Sequence, residues 1–186
     1  MKRVGAVFLL LFFLVGCSGK SKEIERGMSL RSQLLRASSC TFDAAVTADY
    51  GDALYEFAMA CQVDDRGDMT FTVVEPETIS GITGTISSSG GKLTFEDTAL
   101  AFDLMADGQV SPVSAPWLFL KTLRSGYLTA AGMEGDLLRL TIDDSYEDDA
   151  LQLDIWLDGE NLPTRAEVLY GGHRILTLNV TNFQIL

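Results

Sequence analysis

Three cysteines, one histidine and a dense acidic loop are the residues whose types could carry chemistry in this 186-residue chain. A thiol can be an acyl acceptor, a metal ligand or half of a disulfide. His173 would be needed for a metal centre or a Ser-His-Asp arrangement, but it lies between Gly172 and Arg174 with no sequence neighbour to orient it, so a solvent-facing turn residue is expected. The run Asp143-Asp144-Ser145-Tyr146-Glu147-Asp148-Asp149 lacks the spacing and the glycine of an EF-hand, and reads as a solvated loop. Arg66-Gly67-Asp68 and the sequon Asn179-Val180-Thr181 are short enough to arise by chance. Ser87 to Gly91 has no lysine and no strand-to-helix setting, so it reads as a turn and not a phosphate loop. No nucleophile has a base beside it, no enzyme is expected, and neither metal nor cofactor is implied.

Cys17 has a more telling setting. Lys2 and Arg3 precede the apolar run Ala6 to Val15, which is too short to span a bilayer, for which about 20 residues are needed. That run closes on Leu14-Val15-Gly16-Cys17, which resembles the lipobox of bacterial lipoproteins. The resemblance implies cleavage of residues 1–16 and acylation of the Cys17 sulfur. Anchoring at the extracytoplasmic face of a membrane follows from that reading, the outer membrane if the host has two. At least two acyl chains, each buried methylene contributing about 0.8 kcal/mol, would make attachment effectively permanent.

Without Lys2 and Arg3 the remaining chain has 12 basic and 26 acidic side chains, a net charge of −14. Such a balance argues against nucleic acid as a partner and against anionic headgroups. Contact with the membrane is therefore expected through the lipid only.

These residues need a scaffold, and the hydropathy pattern indicates one. After a polar tether over residues 17–21, a single domain is expected over 22–186. Lys22 to Ala37 reads as a helix with Ile24, Met28 and Leu35 on its packed side and Leu34 flanking, weakened by Gly27. From Ser39 the period becomes two. Cys40, Phe42, Ala44, Val46 and Ala48 alternate with polar or small residues, and beyond a Tyr50-Gly51 turn so do Tyr55, Phe57, Met59 and Cys61. Pairing Asp49 with Asp52 would put Cys40 opposite Cys61 at a non-hydrogen-bonded site, which leaves either a disulfide or two buried free thiols. Facing aspartates at the turn argue mildly for a slipped register.

A third strand carries Met69, Phe71 and Val73, and Pro76 ends it. A bent strand around Ile79 to Ile86 and strands over Lys92 to Glu96 and Leu100 to Met105 follow. Trp117, Leu120, Leu123 and Tyr127 mark a second helix ending near Gly126 to Gly132, and four more strands cover Leu137 to Asp143, Leu151 to Asp158, Thr164 to Tyr170 and Arg174 to Ile185.

Several stretches resemble the LolA/LolB type of lipoprotein carrier. They are Phe71-Thr72-Val73-Val74-Glu75-Pro76 with Ile79-Ser80-Gly81-Ile82, Ile155-Trp156-Leu157-Asp158 through Leu162-Pro163-Thr164-Arg165, and Val180 to Ile185. The resemblance implies an α+β fold: a strongly curved antiparallel sheet, an incomplete barrel, with helices covering its concave apolar face. It also implies an apolar cavity that receives acyl chains, lined here by Phe42, Val46, Tyr55, Phe57, Met59, Phe71, Val73, Trp117, Leu120 and Leu123. A filled core would have the same composition. Two functions remain open at this level. One is non-catalytic binding or transfer of a lipid or acylated protein; the other is a cell-envelope adaptor holding a protein partner through its sheet or acidic loops.

Overall fold

A computed structural model describes residues 19–106, 109–147 and 150–186. Cys17, the expected signal segment and the end of the acidic run lie outside the described residues.

The expected antiparallel, unclosed sheet is present. It has eleven strands in the order β6-β5-β4-β3-β2-β1-β13-β12-β11-β10-β9. β1 (Ser39–Asp49), β2 (Leu54–Asp64), β3 (Met69–Glu75), β4 (Thr83–Ser87), β5 (Gly90–Phe95) and β6 (Thr98–Phe102) meander outward to one side. β9 (Tyr127–Glu134), β10 (Leu137–Asp143), β11 (Gln152–Leu157), β12 (Pro163–Tyr170) and β13 (His173–Ile185) form the other arm, and β1 pairs with β13 at the centre. A separate two-stranded ribbon, β7 (Met105–Ala106) with β8 (Gln109–Val110), precedes the second helix. Helices α1 (Gly19–Arg36) and α2 (Ala115–Ser125) cover the apolar face.

Alternation decides which face that is. Along β1 the even residues Cys40 to Ala48 are buried and the odd ones are not, and β3 buries Met69, Phe71 and Val73 in the same way. Register shifts bend the sheet at five of its strand pairs, because a bulge adds a residue to one strand and locally increases twist. The bulge in β13 has a packing role. It leaves Asn182 in the left-handed region at φ 52°, donating from Nδ2 to Asp43 Oδ2 at 2.7 Å. Strict alternation would point residue 182 inward; the extra residue sends Phe183 there, where it stacks on Phe42 at 5.6 Å.

The β1–β2 hairpin differs from expectation by one turn position. Asp49 pairs with Leu54, and the Tyr50 N–H donates to Ala53 O, so the turn is Gly51-Asp52 with Gly51 at φ 85°. Glycine is favoured at such a φ, and the shift separates the two aspartates that would otherwise face each other. Moving the turn by one residue slides the register by two, so every side chain keeps its face. Cys40 now faces Val63 and Cys61 faces Phe42, which overturns the expected direct opposition of the cysteines. Both thiols are buried and unbonded.

The helices also depart from expectation. α1 begins at Gly19, inside the stretch expected to be a tether, and its packed side is Gly27, Leu30 and Leu34. Ile24, Met28 and Leu35 are exposed. A hydropathy pattern gives Gly27 no weight, yet its missing side chain is what lets the helix approach β10: a Cβ there would lie 3.0 Å from Leu140 Cδ2. α2 starts two residues early because Pro116 is tolerated in a first turn, and it stops at Gly126, where a Cβ would collide with Ile142 and Thr122. The residues expected to continue it form β9 instead, a largely exposed edge strand with no clean alternation to reveal it.

Candidate functional site

Phe42, Val46, Met59, Phe71, Val73, Trp117, Leu120 and Leu123 are all buried in one cluster between the sheet and the two helices. Phe57 is only partly buried there. Tyr55 is 50% exposed, edge-on to Tyr50 beside the hairpin turn, so it faces solvent and not the centre of the cluster. Two aromatic residues that sequence patterning did not select complete the centre. Phe119 meets Phe42 edge-to-face at 5.7 Å and Phe183 stacks on its other side. Phe119 was hidden by the helix being apolar nearly all round, and Phe183 by the bulge. In this structure these rings fill the space between sheet and helix.

α2 is held over the cluster by polar contacts from both its first and its last turn to one neighbouring turn. Trp117 Nε1 donates to Gly67 O at 3.0 Å, Arg124 Nη1 to Asp64 O at 3.1 Å and Arg124 Nη2 to Asp65 O at 2.6 Å. All three acceptors belong to the β2–β3 turn. The Arg66-Gly67-Asp68 tripeptide is therefore part of a structural turn: Arg66 pairs with Asp64 at 3.1 Å and Asp68 at 3.8 Å, and Gly67 takes φ 92°. Partial desolvation works against it, but N–H groups of Asp68 and Arg66 and the Arg66 charge together hold the Asp64 carboxyl below the usual range. α1 also fastens the C-terminal turn of α2, where Arg31 Nε donates to Leu123 O at 2.8 Å.

Beside this latch a crevice of about 290 Å³ reaches the edge of the apolar cluster. Its apolar wall is Leu35, Val63, Trp117 and Leu120, and its charged lining is Arg66, Lys121 and Arg124 with the Asp68 carboxylate that pairs with Arg66. Lys121 Nζ lies 5.9 Å from the Trp117 ring centroid, over its π-face. Beneath α2 the hydroxyls of Ser114 and Thr122 are buried without a hydrogen-bond partner. Leaving such groups unpaired costs about 1–3 kcal/mol each, so this seat is not optimised for stability.

A larger groove of about 720 Å³ opens on the opposite face of the sheet, lined by polar residues including Thr41, Gln62, Thr72, Thr85, Lys92 and Asn182. On the same face of the other arm, Trp156 is sandwiched between the Arg139 and Arg165 guanidinia at 5.4 and 4.8 Å. Asp154 is buried under that stack and accepts from Arg139 Nη2 and from Thr141 Oγ1 at 2.7 Å. This network satisfies a buried charge and needs no ligand to explain it.

The thiols are poor nucleophiles. Burial pushes Cys40 up to about 11 and raises Cys61 further, with the Asp43 charge adding to it. His173 is exposed at the start of β13. Among the described residues no group of His, Cys, Asp and Glu could hold a metal ion. No helix among them is long and apolar enough to cross a membrane.

No family model matches the sequence, and no curated protein matches it. Solved structures do. The chain is similar to an uncharacterized conserved protein from Thermus thermophilus, at 12% identity over 88% of this chain and 87% of that one, with a TM-score of 0.48. It is similar to a LolA superfamily protein from Nitrosomonas europaea, at 8% identity over 86% and 93%, TM-score 0.46. It is also similar to a putative outer membrane lipoprotein-sorting protein domain from Vibrio parahaemolyticus, at 8% identity over 90% and 93%, TM-score 0.47. All three likenesses are at 12% identity or below, with TM-scores no higher than 0.48.

Proposed function

We propose that this chain is an extracytoplasmic lipoprotein, acylated on Cys17, that binds an acyl chain of a lipid or of an acylated protein without catalysing a reaction. The observation that carries the reading is the crevice beside α2, where an apolar wall at the edge of the buried aromatic cluster meets Lys121 and Arg124, which make no salt bridge among the described residues. Such a mouth would accept a hydrocarbon chain on one side and the anionic headgroup that accompanies it on the other. The 290 Å³ present is small for a lipid, so uptake would require α2 to lift from its seat. Three hydrogen bonds to one turn form the latch that such a movement would break.

Native mass spectrometry and lipid extraction of the purified protein test this. A copurifying lipid, or saturable uptake of a fluorescent fatty acid, is the expected result. A consistently empty protein that takes up no fatty acid would sink the binding function. Loosening the latch with Trp117→Phe and Arg124→Ala should speed uptake, whereas Leu120→Arg should abolish it. For the anchor, Cys17→Ser should leave the protein unacylated and released from membranes; partitioning like the parent would overturn that assignment.

The polar groove on the outer face favours a second reading, an envelope adaptor that holds a protein there. Crosslinking from Thr72 or Thr85 to one reproducible partner, with no lipid bound, would favour it over the carrier.

A further inference from the structure

Charge is divided between the helices and the rest of the chain, most of whose described acidic residues lie in turns and loops. α1 has five basic residues, Lys20, Lys22, Arg26, Arg31 and Arg36, against Glu23 and Glu25, and α2 adds Lys121 and Arg124 with no acid. The helices together carry +5, so of the −14 borne by residues 17–186 everything outside the helices accounts for −19. Pairing deepens the division. Among the described residues every salt bridge is made by Arg66, Arg139, Arg165 or Arg174, and none by Lys22, Arg26, Arg31 or Arg36 of α1 or by Lys121 or Arg124 of α2. Arg31 and Arg124 donate to main-chain carbonyls, and Arg26 to the Asn161 side-chain oxygen and to Asp158 O. Their charge is oriented but not cancelled.

The same layer exposes apolar surface. Ile24, Met28 and Leu35 fall within an arc of about 40° at 3.6 residues per turn, and all three are roughly half exposed. Met133 continues the patch beside Arg26, whose Nη1 lies 3.6 Å from its sulfur. Leu35 is both the last member of the stripe and a wall of the crevice. A helix with an exposed apolar stripe flanked by uncompensated Lys and Arg has the composition that lies in the plane of a membrane interface.

We propose that the helix-bearing layer docks on an anionic phospholipid bilayer, with Ile24, Met28 and Leu35 in the headgroup boundary and the cations of α1 and α2 over the phosphates. Charge complementarity selects the bilayer over an apolar protein surface. Position does too: α1 starts at Gly19, two residues after Cys17, so its first residue lies within about 7 Å of the proposed lipid-bearing residue. The docking face is distinct from the acylation reading, although proximity to Cys17 strengthens it. It modifies the expectation from net charge: the basic helices face the bilayer although the chain as a whole is acidic, and the crevice mouth is turned to the source of lipid.

The test uses full-length protein purified from membranes and reconstituted on vesicles of phosphatidylcholine, with or without phosphatidylglycerol. An environment-sensitive fluorophore is placed at Met28→Cys or, as control, at Leu100→Cys on the edge strand β6; Cys40 and Cys61 are buried. The probe at position 28 should shift to the blue with phosphatidylglycerol and revert in high salt, and the one at position 100 should not move. Lys22→Glu with Arg36→Glu should remove the shift while circular dichroism stays unchanged. Water-like emission from position 28 on both vesicles, or equal shifts at 28 and 100, would overturn the docking face. A mass spectrum showing Cys17 without acyl chains would overturn the anchor alone, since the lipid-composition dependence can still be read with vesicles added to Cys17→Ser protein.

Discussion

At the level of single residues, burial governs what the two described thiols can do. A thiolate attacks and a thiol does not, and Cys40, displaced to about 11, is protonated at neutral pH, Cys61 more firmly still. Folded protein is expected to resist iodoacetamide at about pH 7.5, and denaturant should expose two reactive thiols besides the sulfur of Cys17. Rapid labelling of the native protein, or fewer than two thiols after unfolding, would show that the packing or the redox state of this hairpin differs from that described. The diagonal relation of Cys40 and Cys61 also shows where sequence reasoning reached its limit. Facing aspartates in the two-residue Tyr50-Gly51 turn hinted at a slip, but only the fit of Gly51 at positive φ decides which neighbouring turn forms. Parity survived the slip, so the inward and outward assignments of β1 and β2 hold, including that of Phe42, Val46 and Met59.

Among the elements, α1 is where patterning misleads. Two stripes compete on that helix, one of Ile24, Met28 and Leu35 and one of Gly27, Leu30 and Leu34, and the first has the larger side chains. The second packs because closeness of backbone to sheet brings more atoms into contact than one extra side chain would. Gly27→Leu should therefore lower stability by about 1–3 kcal/mol through overpacking against Leu140, read as a reduced midpoint in urea unfolding. Met28→Ser on the exposed stripe should change that midpoint little. Equal effects from the two would mean that the helix has the other phase. The candidate crevice was legible only in part: Trp117 and Leu120 announce an apolar helix face, whereas Arg66 and Val63 reach it from a turn whose position depends on the β2–β3 register. Lys121 and Arg124 were visible as charges, but a single sequence does not show that no carboxylate stands opposite them.

Across the whole molecule, the antiparallel meander and the two helices followed from period-two runs and turn residues, because those signals are local. The bulge at Asn182 and the edge strand β9 are set by what lies beside them and so left little local trace. Mean charge conceals the most consequential global property, the contrast between basic helices and an acidic remainder. A domain with that polarity should orient in a field as well as at a surface. Removing the two helix charges at Lys22 and Arg36 should weaken its sedimentation with phosphatidylglycerol vesicles more than removing Arg139 and Arg165, which already face carboxylates. Identical sedimentation of the two double variants would indicate that net charge alone governs binding.

The strand order has a further bearing on how such a molecule comes to exist. Its first strand and its last are neighbours at the middle of the sheet, and the Leu186 N–H donates to Ser39 O while Ser38 donates back to Leu186 O. Each arm can zip from its own hairpins as it is synthesised, but the two halves share no sheet bond until β13 arrives. The seam closes last and across the greatest separation in sequence, which makes it the slow, high-contact-order step of assembly. A ribosome that stalled before the last strand emerged would release two half-sheets with raw inner edges, a product for proteases.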